Sequence, residues 1–214
     1  MRLACLVLLT SVAIVGCASS YQSAHVLAPG KTQVSAAVTR IEQIAEDGDT
    51  ADEDGIYVGD VRVAHGIADK VDANVRLTRA PGSGDTVSMM SAEARFELTA
   101  PEAPAALSIG LPIGILWAEE DELELDYGGL VVMPTLYAGY QVSPGVELVA
   151  APKLFITIPD EGDTQLDFGG SLGVRISDLA QTWHVQPELG LAHFSDEGDS
   201  ATFLLFGLSI GAGN

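Results

Sequence analysis

Hydrophobic and polar residues alternate with a period of two along most of this chain. The run SAEARFEL (91–98) shows the pattern, with Ala92, Ala94, Phe96 and Leu98 on one side and polar residues between them. Such alternation is typical of a β-strand with one apolar face. We find ten runs of this kind, over residues 32–42, 56–66, 69–79, 87–98, 105–117, 129–142, 145–157, 165–176, 182–194 and 201–212. Each is about as long as a tilted strand that crosses a membrane.

The connections between the runs also alternate. Those after even-numbered runs are tight turns, whereas those after odd-numbered runs are acidic and contain most of the 30 acidic residues. Short turns at one end and longer loops at the other are typical of transmembrane barrels. The pattern therefore predicts an all-β fold, a closed antiparallel up-and-down transmembrane β-barrel of about ten strands over residues 32–214. We expect the acidic loops outside the cell.

Aromatic residues mark the two ends of the apolar face. Three lie beside the acidic loops and three beside the tight turns: Tyr57, Trp117 and Phe168, and Phe96, Tyr140 and Trp183. Two aromatic belts are favoured at the two interfaces of a membrane. The apolar face is therefore predicted to point outward, into lipid.

The polar face has charged residues of both signs, which we predict to line the lumen and to neutralise one another, because an unpaired buried charge is costly. This predicted lumen charge network consists of Asp60, Arg62, Asp72, Arg76, Glu93, Arg95, Glu97, Glu147, Lys153, Asp167, Arg175 and Glu188.

The first residues are typical of an export signal. MRLACLVLLTSVAIVG has one Arg and then an apolar run that is too short to span a membrane. The segment Ile14-Val15-Gly16-Cys17 resembles the lipobox of bacterial lipoproteins, which implies that residues 1–16 are removed and that Cys17 receives acyl chains such as palmitate. Residues 17–31 are then expected to be a lipidated linker on the periplasmic side. By the same resemblance, Ala18 in place of Asp favours the outer membrane.

The mature sequence resembles small outer-membrane β-barrel proteins of Gram-negative bacteria by its pattern of strands and loops. The resemblance implies a non-enzymatic protein with a structural or surface-interaction role or a narrow pore, in contact with outer-membrane lipid and lipopolysaccharide. An inverted sheet with its apolar face inward is an alternative. It would be a lipid-anchored, lipocalin-like carrier of a hydrophobic ligand, although the scarcity of Lys does not favour a solvated outer face.

A lipid-active enzyme is the second alternative. His193 and Ser195 are two apart on one run, so their side chains share a face. They resemble the His-x-Ser-Asn signature of outer-membrane lipid A deacylases, but Asp196 replaces the Asn and the last run has no carboxylate. An omptin-type protease is disfavoured because the chain has no Asp-x-His spacing. We therefore expect no enzymatic activity.

The acidic loops raise the question of metal ions. Asp160, Asp163, Asp196 and Asp199 lie in two DEGD segments, and oxygen-rich turns of this kind suit Ca²⁺ or Mg²⁺. Neither segment matches the twelve-residue calcium loop. We expect no cofactor beyond weakly bound cations there, and a formal net charge of −20 excludes nucleic acid as a partner.

Overall fold

The computed structural model describes residues 18–46, 49–50, 55–81, 86–100, 103–119, 125–160, 162–178, 180–196 and 199–214. These residues form ten antiparallel wall strands: β1 Thr32–Glu46, β2 Ile56–Ala68, β3 Val71–Pro81, β4 Thr86–Glu97, β5 Ala105–Glu119, β6 in two parts (Leu125–Val132 and Thr135–Ser143), β7 Val146–Ile158, β8 Gln165–Ser177, β9 Trp183–Asp196 and β10 Asp199–Gly213. A short strand, Asp49–Thr50, pairs back onto β1. Within these ranges no helix is long and apolar enough to cross a membrane.

The sheet closes on itself. Each strand pairs with its neighbours in sequence, and β10 pairs with β1 from Gln33 opposite Gly213 to Glu46 opposite Ala201. Closure gives every wall strand two partners, which is what a strand surrounded by hydrocarbon requires. The predicted antiparallel ten-stranded barrel is confirmed.

The wall has an apolar outside and a buried inside. Outward residues such as Val38, Leu111 and Leu208 are about half exposed, whereas inward neighbours such as Asp60 and Arg95 are buried. This arrangement excludes the lipocalin-like alternative, which needs the apolar face inside. Five of the six aromatic residues of the predicted belts are also about half exposed on the outer face: Tyr57, Phe96, Tyr140, Phe168 and Trp183.

The lumen consists of two layers. The half beside the acidic loops is filled by buried apolar side chains, which we call the apolar cluster. Its larger members are Ile41, Val58, Val87, Met89, Leu116, Val131, Met133, Phe155, Phe194, Phe203 and Leu205. The half beside the tight turns contains most of the buried charges.

The outward orientation of Leu111 gives a stability prediction. Leu111 lies near the middle of β5 on the outer face, so Leu111→Arg should destabilise the barrel in a bilayer by about 2–4 kcal/mol. Leu98→Arg is the matched control. Leu98 is equally exposed, but it follows the end of β4 and so lies near the membrane interface. An arginine on the lipid face there costs only about 0–1 kcal/mol of stability. Denaturant titration in lipid vesicles measures both. Equal losses at the two positions would contradict the assignment of Leu111 to the bilayer midplane.

Candidate functional site

The N-terminal segment lies inside the barrel. Residues 18–31, which we call the strap, have no regular secondary structure and enter the lumen at the tight-turn end. There Gly30 N–H donates to Gly66 O and Gly66 N–H donates to Lys31 O, both at 2.9 Å. The strap ends at Ala18, which is fully buried in the apolar cluster. It therefore rises from the tight turns into the half of the lumen beside the acidic loops.

Four lumen carboxylates accept hydrogen bonds from the strap backbone. Glu188 accepts from Ser20 N at 2.8 Å and from Tyr21 N at 2.6 Å. Three further backbone donors are accepted in the same way, Ala24 N by Glu147 at 3.0 Å, Val26 N by Glu97 at 3.2 Å and Leu27 N by Asp72 at 2.9 Å. A buried backbone N–H without an acceptor costs about 1–3 kcal/mol. The lumen acids therefore accept the backbone hydrogen bonds that an irregular segment cannot make within itself.

Lumen arginines bind the carbonyl groups of the same segment. Arg62 donates to Ser20 O at 3.0 Å and to Tyr21 O at 2.6 Å. Two more arginines repeat this contact, Arg76 to Ser19 O at 2.8 Å and Arg95 to Ser23 O at 2.7 Å. Because these bonds are made to backbone atoms, the lumen holds the strap mainly through its backbone.

A few strap side chains are also bound. The Tyr21 hydroxyl lies 2.6 Å from Thr39 Oγ1, and Gln22 Nε2 donates to Glu93 at 2.9 Å. The strap also receives a bond from the wall, since Lys153 Nζ donates to Ser20 Oγ at 3.2 Å. These contacts set the position of the strap along the lumen.

Three inward glycines shape the wall to the strap. A Cβ atom at Gly207 would overlap the Tyr21 hydroxyl, and one at Gly66 would overlap the carbonyl of Ala28. A Cβ atom at Gly139 would lie only 2.7 Å from the Cβ of Ala24. Larger residues at these positions exclude the strap, so the barrel and the strap fit as one unit.

All twelve residues of the predicted lumen charge network lie on the inner face. Eleven are buried, and Arg76 is nearly so. Two pairs form directly, Arg76 Nε with Asp60 at 2.7 Å and Arg95 Nε with Asp72 at 2.8 Å. Arg175 donates to Gln186 at 3.3 Å, and Asp167 accepts the backbone N–H of Ser195 at 2.8 Å at the loop rim. Much of the network is thus satisfied by the strap, a partner that the sequence analysis did not identify.

A cavity of about 470 Å³ opens below the strap at the tight-turn end. Its walls combine strap residues with lumen charges, among them Arg62, Arg95, Glu147 and Arg175. Above it, the strap and then the apolar cluster fill the lumen. The barrel therefore has a polar cavity at the tight-turn end, which we call the vestibule. Beyond it, the lumen is closed first by the strap and then by the apolar cluster.

The two residues of the deacylase alternative lie at the loop end of β9. His193 Nδ1 is 2.9 Å from Thr202 Oγ1, and its ring lies against Phe168 with centroids 5.2 Å apart. Ser195 is exposed. Among the hydrogen bonds found in the described ranges, His193 bonds Thr202 and none joins it to Ser195.

The remaining candidates are dispersed or lie outside the described residues. Asp160, Asp163 and Asp199 are exposed at the acidic loops, and the described part of the chain contains no group of three metal-ligating side chains close enough to hold an ion. The side chain of Asp196 and the whole of Cys17 lie outside the described residues. The metal sites and the lipid anchor remain predictions.

Comparisons with known proteins agree with the fold. No protein-family model matches the chain, and no curated protein matches it. Among solved structures, an outer-membrane channel of Pseudomonas putida F1 superposes with a TM-score of 0.60 at 11% identity, over 92% of this chain and 100% of that one. This chain has the fold of an outer-membrane β-barrel. Neisserial surface protein A also matches, with a TM-score of 0.40 at 13% identity over 84% of this chain and 95% of that one.

Proposed function

We propose that the protein is a non-enzymatic outer-membrane β-barrel lipoprotein of a Gram-negative cell, with a structural or surface-interaction role and a lumen closed by its own strap. The observation that carries this proposal is the bonding of the strap. Five backbone N–H groups and four backbone C=O groups of residues 19–27 are bound by lumen acids and arginines. A lumen filled in this way is suited to a plug and not to free diffusion.

The surface supports membrane residence and outward acidic loops. The outer face is an apolar band bounded by aromatic residues, as expected for a barrel in a bilayer. The acidic loops follow odd-numbered strands, so they all lie at one end. We expect them to face the medium, where divalent cations bridge their carboxylates to the phosphates of lipopolysaccharide.

A narrow pore is the second candidate. The solved structure with a TM-score of 0.60 is an outer-membrane channel, and the vestibule in this chain is polar and open. Conduction requires the strap and the apolar cluster to move, because both stand between the vestibule and the acidic loops.

The lipid anchor is tested at Cys17. Cys17→Ser removes the thiol that would be acylated, so metabolic labelling with palmitate should be lost and the precursor should keep residues 1–16. Cys5→Ser is the control, since Cys5 lies in the segment expected to be removed. Gel mobility measures whether residues 1–16 are removed, and mass spectrometry of the N-terminal peptide measures both cleavage and acylation. A Cys17→Ser protein that is processed normally and stays in the membrane fraction would contradict the lipobox.

A further inference from the structure

Two arginines line the vestibule without a carboxylate partner. Arg62 on β2 and Arg175 on β8 are buried in the wall of the cavity, and within the described residues neither forms an ion pair. Of the hydrogen bonds found there, Arg62 makes two, to the carbonyls of Ser20 and Tyr21. Arg175 makes one, to Gln186 Oε1 at 3.3 Å. A guanidinium has five N–H donors, so both arginines have donors left for another acceptor.

The two arginines lie at the same level of the lumen. Arg62 donates to Tyr21 O at 2.6 Å. Gln186, which accepts the bond from Arg175, donates to Gln22 O at 3.3 Å. The two side chains thus approach consecutive residues of the strap from different strands, and their charges are close enough to repel one another. Like charges in one cavity raise the local concentration of an ion of opposite sign.

The carboxylates of the vestibule already accept hydrogen bonds from the protein. Glu97 and Glu147 accept backbone N–H groups of the strap, and Asp178 at the rim accepts two bonds from the turn that follows it. Glu147 also lies opposite Arg175 on the neighbouring strand and attracts it, although the two are not within ion-pair distance. The acceptors of the cavity are therefore in use while donors remain, which suits an anion better than a cation.

The size and the remaining walls of the vestibule describe the rest of the ligand. Its volume of about 470 Å³ falls in the range of about 300–1,000 Å³ that is usual for small-molecule sites, so it has room for more than a bare ion. Amide and hydroxyl groups line it beside the arginines, among them those of Gln141, Ser177 and Gln181. Such groups bind a polar, uncharged body by hydrogen bonds.

We propose that the vestibule binds a small polar solute that carries a carboxylate or phosphate group, with Arg62 and Arg175 as the anion-binding residues. The planar guanidinium matches the oxygens of both groups and binds either with two parallel hydrogen bonds. The ligand enters from the tight-turn side, where the cavity is open. This inference goes beyond the proposed structural role and does not depend on the lipid anchor.

The test measures the binding of charged sugars to the full-length protein in detergent micelles, by isothermal titration calorimetry at fixed ionic strength. Glucose 6-phosphate carries a phosphate, glucuronate carries a carboxylate on a similar polar body, and glucose is the neutral control. We expect saturable binding of at least one charged sugar and none of glucose. The tighter of the two charged sugars identifies the preferred anionic group. Binding of glucose with equal affinity, or no binding of either charged sugar at millimolar concentration, would overturn the inference.

Variants locate the site in the vestibule. Arg175→Gln removes a guanidinium that makes no bond to the strap, so the strap should stay in place. The affinity should fall about tenfold or more, because a hydrogen bond to a charged group contributes at least that much. Lys31→Gln is the matched control, since it removes the same charge from an exposed side chain at the mouth of the cavity. An equal loss in the two variants would show a nonspecific effect of charge and would overturn the inference.

A second variant keeps the test decisive. Arg62→Gln should also weaken binding about tenfold or more. It loses two bonds to the strap as well, so circular dichroism and heat-dependent gel mobility must first show that the barrel is folded. If one arginine variant fails to fold, the other decides. Unchanged affinity in a folded variant of either arginine would overturn the assignment.

Discussion

Replacement of Glu188 by alanine should destabilise the barrel by about 3 kcal/mol or more, because each of three buried donors left without an acceptor costs about 1–3 kcal/mol. Glu188 is buried and accepts three hydrogen bonds, from Ser20 N at 2.8 Å, Tyr21 N at 2.6 Å and Gln186 Nε2 at 2.7 Å. Without the carboxylate, these three buried donors lose their acceptor. Denaturant titration of the refolded protein measures the loss.

The strap should be released in the same variant. Amide hydrogen exchange over residues 19–27 should become fast in Glu188→Ala while the exchange of the wall strands stays slow. Glu42→Ala is the matched control, because Glu42 is a partly exposed carboxylate on the outer face that pairs with Arg40 at 2.6 Å. An exposed pair of this kind contributes about 0.2–1 kcal/mol. Equal losses in the two variants would show that Glu188 has no special part in holding the strap.

The strands were predictable because two different surroundings impose a period of two on the sequence. Hydrocarbon outside and charges inside leave little freedom at either face, so the ten runs coincide with the ten wall strands. The ends were less predictable. β1 continues to Glu46, beyond the run that ends at residue 42, and β6 is interrupted at Met133-Pro134, inside a single run. Proline fits an extended backbone but has no backbone N–H to donate. The alternation of apolar and polar side chains does not show that loss.

The apolar half of the lumen was missed although its signal was present. Near the acidic loops the inward positions are apolar as well, as in Leu116, Phe194, Phe203 and Leu205. A strand that is apolar on both faces reads as a continuous run, as FLLF does at 203–206. Such runs indicate burial on both sides. Here the second side is the packed lumen.

The strap could not be predicted from its own residues. The segment ASSYQSAHVLAPGK has no strand or helix period, and composition alone favours a linker. Its position depends on backbone N–H and C=O groups, which every sequence has. The wall does contain one sequence signal of the strap, because the inward glycines Gly66, Gly139 and Gly207 leave space for it. That space is recognised only once the segment that fills it is known.

Wild-type protein in planar bilayers should be silent, and it should conduct only when both closures of the lumen are removed. Deletion of residues 19–28 removes most of the strap and keeps Cys17 and Ala18. Phe155→Ala with Phe194→Ala thins the apolar cluster, where these rings lie 5.4 Å apart. The closures stand in series, so either change alone leaves the other in place. The combined variant should give steady currents.

The ion selectivity of those currents follows from the charges that line the lumen. Seven acids and five bases line it, namely Asp60, Asp72, Glu93, Glu97, Glu147, Asp167 and Glu188, with Arg62, Arg76, Arg95, Lys153 and Arg175. Once the strap is gone, water hydrates these groups, and the excess of acid attracts cations, as the acidic loops do outside. The reversal potential in a potassium chloride gradient should therefore indicate cation selectivity.

Strand content by circular dichroism and heat-dependent gel mobility must show that each variant is folded, because each Phe→Ala change costs about 3–5 kcal/mol of stability. Currents from the wild type would refute the plug, and currents from the deletion alone would refute closure by the apolar cluster. Anion selectivity in the combined variant would show that the arginines dominate the lumen once the strap no longer occupies it.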